Sequence, residues 1–288
     1  MKTRIISASV LIAVVLGFIV LGKTVSPLFM TAFILAAAVI GIYELLHNAL
    51  KINVKAANAV ACIYVGLEIV LLDKNVAIEL IKVFNSTKMG SGVLVAVSAL
   101  SLRLLTAVYF VVAVAIILIK HKEFNIASIL GFSAMPLFLG YAFSTLGSII
   151  NHNNGIYYLV LLLNFSSICD TGAYFIGCNF GRHKLCPEIS PKKTVEGALG
   201  GIVSSLIASI IIVVCFGRLE TAAAVLILTI PMCILGMFGD LFASIIKRNV
   251  GLKDYGNLIP GHGGILDRFD SMLLIAPVLY IFINLGVL

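Results

Sequence analysis

Charged residues are scarce in this sequence. Of its 288 residues, 11% are charged and 61% are hydrophobic, whereas soluble proteins carry roughly 25% charged residues. So few charges cannot cover the surface of a water-soluble globule, and the composition argues against that class of protein. Because a helix needs about 20 apolar residues to cross a bilayer, the repeated apolar runs predict a polytopic α-helical membrane protein.

Paired cysteine motifs and nucleic-acid motifs are also missing. The six cysteines include no CxxC pair, and most lie in apolar runs, where a thiol packs as a small hydrophobic group. The cysteines therefore indicate neither a disulfide framework nor a zinc site. The net charge of +7 comes without an aromatic-interleaved basic surface, so nucleic acid is not an expected partner.

Nine apolar segments predict an all-α fold with about nine transmembrane helices. The segments are 5–22, 26–46, 56–72, 92–119, 126–149, 156–177, 197–216, 221–246 and 268–286. We assign 1–150 to an N-terminal transmembrane region of about five helices, and 151–288 to a C-terminal region of about four helices that carries two polar loops. The short mixed segment 75–88 is a candidate for a position at the membrane interface.

The distribution of lysine and arginine predicts which side of the membrane the loops face. With nine spans, the N-terminus and alternate loops share one side, and that side holds most of the 20 lysines and arginines. Cytoplasmic loops collect basic residues, according to the positive-inside rule. We therefore expect a cytoplasmic N-terminus, with the polar loops 178–196 and 247–267 on the same side.

An aspartate interrupts the sixth predicted span. Asp170 lies in the stretch CDTGAY, residues 169–174. A carboxylate within the membrane is energetically costly, which makes it a candidate functional residue. The alternative is a structural role, in which Asp170 pairs with Arg103 or with a lysine.

A polar segment precedes the seventh predicted span. It reads SPKKTVEG, residues 190–197, and Pro191 suits a turn. Lys192, Lys193 and the Thr194 hydroxyl then lie close to a helix N-terminus, whose free N–H groups and positive dipole favour phosphate. The alternative is that the two lysines only determine membrane topology.

The end of the eighth span and the loop after it form a third polar cluster. Asp240, Ser244 and Lys247 are spaced to share one helical face, which indicates a polar cavity rather than a lipid contact. The following run PGHGG, residues 260–264, predicts a flexible loop whose backbone N–H groups can approach anionic oxygens. His262 is a candidate acid, base or phosphate donor, or a hydrogen-bond donor within the loop.

Two further aspartates begin the ninth span. Asp267 and Asp270 are three residues apart, a spacing that places side chains near one another on a helix. Carboxylates this close repel unless a cation joins them, and carboxylates beside phosphates are the usual ligands of Mg²⁺. With Asp240, they predict a metal–phosphate site. The alternative is that both aspartates cap the helix while Arg268 extends to the membrane surface.

The motifs of residues 165–271 resemble those of the phosphatidate cytidylyltransferases, also called CDP-diglyceride synthases. The series that carries the resemblance is Ser244, Lys247-Arg248, Lys253-Asp254, Pro260-Gly261-His262-Gly263-Gly264 and Asp267-Arg268-Phe269-Asp270. Upstream, Asp170-Thr171-Gly172-Ala173-Tyr174, Ser190-Pro191-Lys192-Lys193-Thr194 and Gly239-Asp240 also resemble family motifs. The first five spans are similar to the family only in being hydrophobic.

The resemblance implies a reaction and a set of functional residues. It implies transfer of the cytidylyl group of CTP to phosphatidate, which gives CDP-diacylglycerol and pyrophosphate for phospholipid biosynthesis. It assigns one or two Mg²⁺ ions to Asp240, Asp267 and Asp270, and catalysis to these three and Lys247. The residues assigned to the substrates are Asp170, Ser190, Lys192, Lys193, Thr194, Ser244, Arg248, Lys253, His262, Gly263, Gly264 and Arg268.

The resemblance also implies a location and an assembly. It implies a homodimer, and its two substrates imply a site at the membrane surface, with 151–288 as the catalytic region facing CTP in the cytoplasm. One short chain without extra cytoplasmic domains suits the inner membrane of a bacterium. Related functions remain open: a CTP-dependent lipid kinase, or a cytidylyltransferase for an isoprenoid lipid. An ion-coupled transporter would need polar residues through the depth of the membrane, whereas the charges here concentrate in two loops.

Overall fold

The computed structural model describes residues 2–73, 76 and 91–288, which are mostly helical. The helices are α1 Lys2–Thr24, α2 Leu28–Tyr43, α3 Lys55–Leu72, α4 Ser91–Ile119, α5 Ile126–Ile150, α6 Gly155–Leu163, α7 Cys169–Phe180, α8 Val195–Cys215, α9 Ala222–Asn249, α10 Leu266–Phe269 and α11 Met272–Asn284. A π-helical turn, Glu44–Ala49, continues α2, and a second, Asn164–Ile168, joins α6 to α7. Short 3₁₀ turns occupy His121–Glu123 and Leu219–Thr221.

Seven helical segments in the described ranges are long and apolar enough to cross a membrane. They are Leu28–Ala49, Lys55–Leu72, Leu100–Ile119, Ile126–Ile150, Gly155–Phe180, Val195–Cys215 and Leu219–Asn249. Shorter apolar helices cover Ala13–Thr24 and Met272–Asn284, which overlap the first and last predicted spans. The protein is therefore a polytopic helical membrane protein. The predicted interfacial segment 75–88 lies outside the described residues, apart from residue 76.

The predicted ninth span, 268–286, is interrupted. Helix α10 ends at Phe269 and α11 begins at Met272, with Asp270 and Ser271 in a turn between them. The Ser271 N–H donates to Asp270 Oδ1 at 2.8 Å. A short polar side chain that bonds the adjacent backbone competes with helical hydrogen bonding, so the expectation of one uninterrupted span was wrong here.

A β-hairpin lies in the segment that the sequence analysis treated as an irregular polar loop. Strands β1 Lys184–Cys186 and β2 Ser190–Thr194 pair antiparallel, with Lys184 opposite Thr194. The prediction that Pro191 forms a turn was wrong, because this residue lies within β2. A two-stranded sheet has exposed edges, where the missing N–H of proline is tolerated.

The chain divides into two compact units. The first comprises 1–151 and 254–267, and the second 152–253 and 268–288. In the first unit, α3 packs against α2, α4 and α5. Aromatic side chains join these helices: the Tyr64 and Tyr109 rings lie 4.5 Å apart, and the Tyr109 hydroxyl donates to the carbonyl of Phe132. The loop 254–267 thus belongs with the N-terminal helices.

In the second unit, α7 and α8 pack most closely. A Cβ atom at Gly201 would lie 2.6 Å from the Cys169 carbonyl oxygen, and one at Gly197 would lie 2.7 Å from that of Ala173. Only glycine permits so close an approach, as is common where helices associate in membranes. The remaining helices α9 and α11 pack on one another, and α9 also packs on α8.

Candidate functional site

Three of the predicted motifs meet in the second unit. The Lys193 ammonium lies 2.5 Å from Asp240 Oδ2, and the two side chains are only 24% and 28% exposed. Asp170 interacts electrostatically with both Lys193 and Asp240. We call Asp170, Lys193 and Asp240 the charged cluster. Its members come from α7, the end of β2 and α9.

The position of Lys193 follows from how α8 begins. Thr194 has an extended backbone and caps the helix, since its Oγ1 accepts the Gly197 N–H at 3.1 Å. The predicted helix N-terminus at Thr194 is therefore confirmed. Because a cap residue fixes the direction in which the chain enters a helix, the preceding residue Lys193 is held beside α9.

The position of Asp170 follows from the π-helical turn directly before α7. Asn164, fully buried at the start of this turn, donates to the Ser205 carbonyl at 3.1 Å and to Ser209 Oγ at 2.8 Å. Ser209 also shares a hydrogen bond with Thr229 on α9. This buried polar network ties the turn to α8 and α9. It fixes the start of α7, where Asp170 is the second residue.

The predicted polar face of α9 is helical throughout. Asp240, Ser244 and Lys247 all lie within this helix, and Lys247 is 7% exposed. The Lys247 ammonium lies 3.9 Å from Asp270 Oδ2. Gly239 allows the turn before α11 to approach, because a Cβ there would lie 2.6 Å from the Asp270 carbonyl oxygen. Two lysine–carboxylate pairs therefore lie on the second unit's polar side.

The other predicted substrate residues of the second unit are more exposed. Ser190 and Ser244 are half-buried, whereas Lys192, Arg248, Lys253 and Arg268 are exposed. The Arg248 guanidinium donates to the Leu252 carbonyl oxygen at 2.8 Å, so it also fixes the chain after α9. Glu196 was not assigned, yet it accepts the N–H groups of Arg182 and His183 and holds the hairpin against α8.

The glycine-rich loop lies in the first unit and is tightly hydrogen-bonded. Gly261 and Gly263 have φ values of 78° and 83°, which glycine adopts readily. The His262 N–H donates to the Ile259 carbonyl and the Gly264 N–H to Asp267 Oδ2. These two N–H groups therefore already have hydrogen-bond partners. A phosphate bound by the PGHGG loop would need its other N–H groups. His262 Nδ1 is buried and has no hydrogen-bond partner among the described residues.

The carboxylate of Asp267 belongs to this loop. Asp267 is 7% exposed, and its Oδ2 accepts the Tyr255 N–H at 2.7 Å and the Gly264 N–H at 3.0 Å. Asp240 and Asp270 lie in the second unit. Within the described ranges, no three His, Cys, Asp or Glu side chains form a group that could hold a metal ion. The predicted set Asp240, Asp267 and Asp270 thus remains a prediction.

Sequence reasoning missed several residues that support the site. Glu44, in the second span, accepts the Ile265 and Leu266 N–H groups, and Asn48 donates to the Tyr255 carbonyl. Asn164 and Ser271 were not assigned either. The signal for Glu44 was present, since a carboxylate within an apolar span is a functional candidate. Asn164 and Ser271 carry no such signal.

Comparisons with known proteins identify the family of this chain. A model of the cytidylyltransferase family matches residues 2–286. The chain is 32% identical over 282 residues to a phosphatidate cytidylyltransferase of Staphylococcus haemolyticus, an alignment that covers 98% of each chain. It is 47% identical over 116 residues to the protein of that name in Bacillus subtilis, covering 40% of this chain and 43% of that one. A Staphylococcus saprophyticus protein of the same name is 43% identical over 129 residues, which are 45% and 50% of the two chains.

Proposed function

The chain belongs to the cytidylyltransferase family, and we propose that it transfers the cytidylyl group of CTP to phosphatidate. The products are CDP-diacylglycerol, a precursor in phospholipid biosynthesis, and pyrophosphate. The observation that carries this proposal is the charged cluster, in which Lys193 and Asp240 form an ion pair beside Asp170. Three separate family motifs supply these residues, and a relative with this name aligns over 98% of the chain.

The chemistry needs positioning and charge neutralisation rather than a protein base. A phosphate oxygen of phosphatidate attacks the α-phosphorus of CTP and forms a new P–O bond. The bond between the α-phosphorus and its bridging oxygen breaks, and pyrophosphate leaves with that electron pair. Since a phosphate dianion is already a nucleophile, no side chain has to remove a proton. Phosphoryl and nucleotidyl transfers depend mainly on geometry and electrostatics.

Lysine and arginine side chains would neutralise the phosphates. Lys193 is only 24% exposed and Lys247 is buried, so both ammonium groups are partly shielded from water, which strengthens their attraction for a phosphate. Lys192, Lys253 and Arg268 are exposed and suit contacts at the mouth of a site. Ser190, Thr194 and Ser244 can supply hydroxyl donors, although Thr194 already caps α8.

Carboxylates of the second unit are our proposed ligands for a magnesium ion. Mg²⁺ in proteins commonly takes one or two carboxylates and completes its shell with phosphate oxygens and water. Asp240 already attracts a cationic group, the Lys193 ammonium. We assign the ion to Asp240 and Asp270, and the family resemblance adds Asp267. An ion bound there would stabilise the negative charge of the phosphates and of the leaving group.

The membrane location suits both substrates. Phosphatidate carries acyl chains that remain in the bilayer, whereas CTP is water-soluble, so the reaction belongs at the membrane surface. The positive-inside rule supports nine spans, a cytoplasmic N-terminus and a site that faces cytoplasmic CTP. We further propose the bacterial inner membrane and a homodimer, on the resemblance and on the bacterial relatives.

The direct test uses the purified full-length chain in lipid nanodiscs. With Mg²⁺, labelled CTP and phosphatidate, we expect labelled CDP-diacylglycerol and an equal amount of pyrophosphate. A parallel reaction with an isoprenoid phosphate tests the lipid alternative, and one with diacylglycerol tests lipid kinase activity. Folded protein that forms no CDP-lipid from phosphatidate would refute the proposal.

A further inference from the structure

Glu44 is a buried carboxylate that the proposed reaction does not use. It begins the π-helical turn that continues α2 and is 5% exposed. Its Oε1 accepts the Ile265 N–H at 3.1 Å, and its Oε2 accepts the Leu266 N–H at 3.0 Å. A buried carboxylate is costly unless hydrogen bonds stabilise it, and here backbone donors 221 and 222 residues away supply them.

These two donors lie where α10 begins. Helix α10 spans Leu266–Phe269 and contains Asp267. The first N–H groups of a helix lack helical partners, and a carboxylate that accepts them forms charge-assisted hydrogen bonds. Glu44 therefore caps α10 from a distant part of the chain and fixes the point at which the loop enters this helix.

The loop is shaped around the Glu44 side chain. A Cβ atom at Gly256 or Gly264 would collide with the Glu44 carboxylate, so a larger residue at either position would displace this carboxylate from its hydrogen bonds. Asn48 Nδ2 donates to the Tyr255 carbonyl at 2.6 Å, and the Tyr255 N–H donates to Asp267. Both ends of the segment 255–267 are thereby fixed to the second span.

We propose that Glu44 is a positioning residue for the CTP side of the reaction. It touches the backbone of 265–266 rather than a substrate, and through this backbone it holds Asp267, His262, Gly263 and Gly264 in place. The inference rests on the proposed function: the family resemblance assigns Asp267 to the metal ion and His262, Gly263 and Gly264 to the substrates, and we assign this loop to the pyrophosphate part of CTP, which free backbone N–H groups suit. Loss of the cap displaces these groups, so the binding of CTP changes and the binding of phosphatidate does not.

The test compares Glu44→Gln and Glu44→Ala with the matched control Glu68→Gln. Glutamine keeps the size of the side chain but replaces one acceptor oxygen by an N–H group that faces a backbone N–H. Glu68 is likewise 5% exposed, in α3 of the same unit, where its carboxylate lies beside Gly140. The measurements are kinetics against CTP and against phosphatidate, and the Tm of each protein in nanodiscs.

The expected result is a selective change. Glu44→Gln raises KM for CTP about tenfold, since small displacements of binding groups have effects of this size or larger. KM for phosphatidate stays within about twofold, and Glu68→Gln leaves both KM values unchanged. An unchanged KM for CTP in Glu44→Gln overturns the inference. A variant that loses kcat and has a lower Tm, with both KM values unchanged, overturns it as well.

A double-mutant cycle tests the geometry without an activity assay. Gly256→Ala alone lowers Tm, because its Cβ collides with Glu44. In the double variant Glu44→Ala/Gly256→Ala the Glu44 carboxylate is absent. Gly256→Ala therefore lowers Tm less in the Glu44→Ala background than in the wild type. Strictly additive Tm changes overturn the proposed contact. If the wild type forms no CDP-lipid, the proposed function fails and this cycle alone decides the placement of Glu44.

Discussion

The two units of the molecule hold their buried carboxylates in different ways. In the first unit, Glu44 and Asp267 accept backbone N–H groups of the loop 254–267. In the second, Asp240 and Asp270 lie against the ammonium groups of Lys193 and Lys247. The first arrangement binds side chain to backbone, and the second binds side chain to side chain.

We therefore expect the loop of the first unit to stay fixed, and the ion pairs of the second unit to exchange partners. Backbone hydrogen bonds determine the path of the chain, and breaking them requires the loop to move. An ion pair between two side chains can separate by rotation, so that the lysine meets a phosphate and the carboxylate meets a cation. We therefore expect substitutions in the second unit to alter ligand binding most, and those in the first unit to alter stability as well.

The largest effect is expected for Asp240→Asn in the second unit. The substitution removes the negative charge of a carboxylate that we propose as a ligand of the metal ion. Activity should fall about 1,000-fold, a typical loss when an electrostatic group of an active site is removed. Steady-state production of CDP-lipid measures it, with Glu123→Gln, at an exposed pair with Lys120, as a control. Retention of more than a tenth of the activity would contradict the assignment of Asp240.

The second prediction tests whether the Lys193–Asp240 pair can exchange partners. Lys193→Met should lower kcat/KM for CTP about 100-fold, because a shielded cation no longer meets the phosphates. In the absence of CTP the same variant should bind Mn²⁺ more tightly, since Asp240 has lost its competing cation. Electron paramagnetic resonance titration measures free Mn²⁺. Unchanged or weaker Mn²⁺ binding would contradict exchange.

Lys192→Met provides the comparison for this variant. Lys192 is the adjacent residue but is exposed, and charges screened by solvent interact more weakly. Its loss of kcat/KM should be smaller, about fivefold at most, and its Mn²⁺ affinity should equal that of the wild type. Equal effects of the two substitutions would show that burial beside Asp240 does not matter.

The third prediction makes the same change, aspartate to asparagine, at Asp267 in the first unit. Asp267→Asn weakens the charge-assisted hydrogen bonds that this buried side chain accepts from the Tyr255 and Gly264 N–H groups. The free energy of unfolding should therefore fall by about 1–3 kcal/mol, and activity should fall as well. Asp240→Asn, at a side chain that is 28% exposed, should change stability less. Thermal unfolding of both variants in nanodiscs gives the comparison. Equal Tm values would remove the distinction between the two units.

The smallest effect is expected at the cap of α8. Thr194→Val keeps the shape of the side chain but loses the bond to the Gly197 N–H, which should cost about 1 kcal/mol of stability. Thr194→Ser retains the hydroxyl and should resemble the wild type. Thermal unfolding again measures the change, and equal Tm values for the valine and serine variants would refute the cap.

The helices of the fold were readable from the sequence, whereas the local breaks were not. Long apolar runs predict membrane helices because the bilayer requires them. The β-hairpin escaped prediction because its strands are short and contain Pro191 and three lysines. The interruption before α11 contains a hydrogen bond from the Ser271 N–H to Asp270 Oδ1, which no periodicity reveals.

The site was predictable in its chemistry and only partly in its arrangement. Spacing along one helix placed Asp240 and Lys247 together, and the polar segment before α8 placed Lys193 at a helix start. The support of the glycine-rich loop was not predictable, because its acceptor Glu44 lies 221 residues before Ile265. Such a contact depends on tertiary packing rather than on local sequence.

The most direct test of the account follows the phosphorus atoms of CTP. The full-length chain in nanodiscs receives Mg²⁺, phosphatidate and CTP labelled with ³²P at either the α or the γ position. Cytidylyl transfer predicts that the α label enters the lipid, while the γ label leaves as pyrophosphate. Transfer of the γ label to the lipid, with CDP as the other product, would show a lipid kinase and contradict the account.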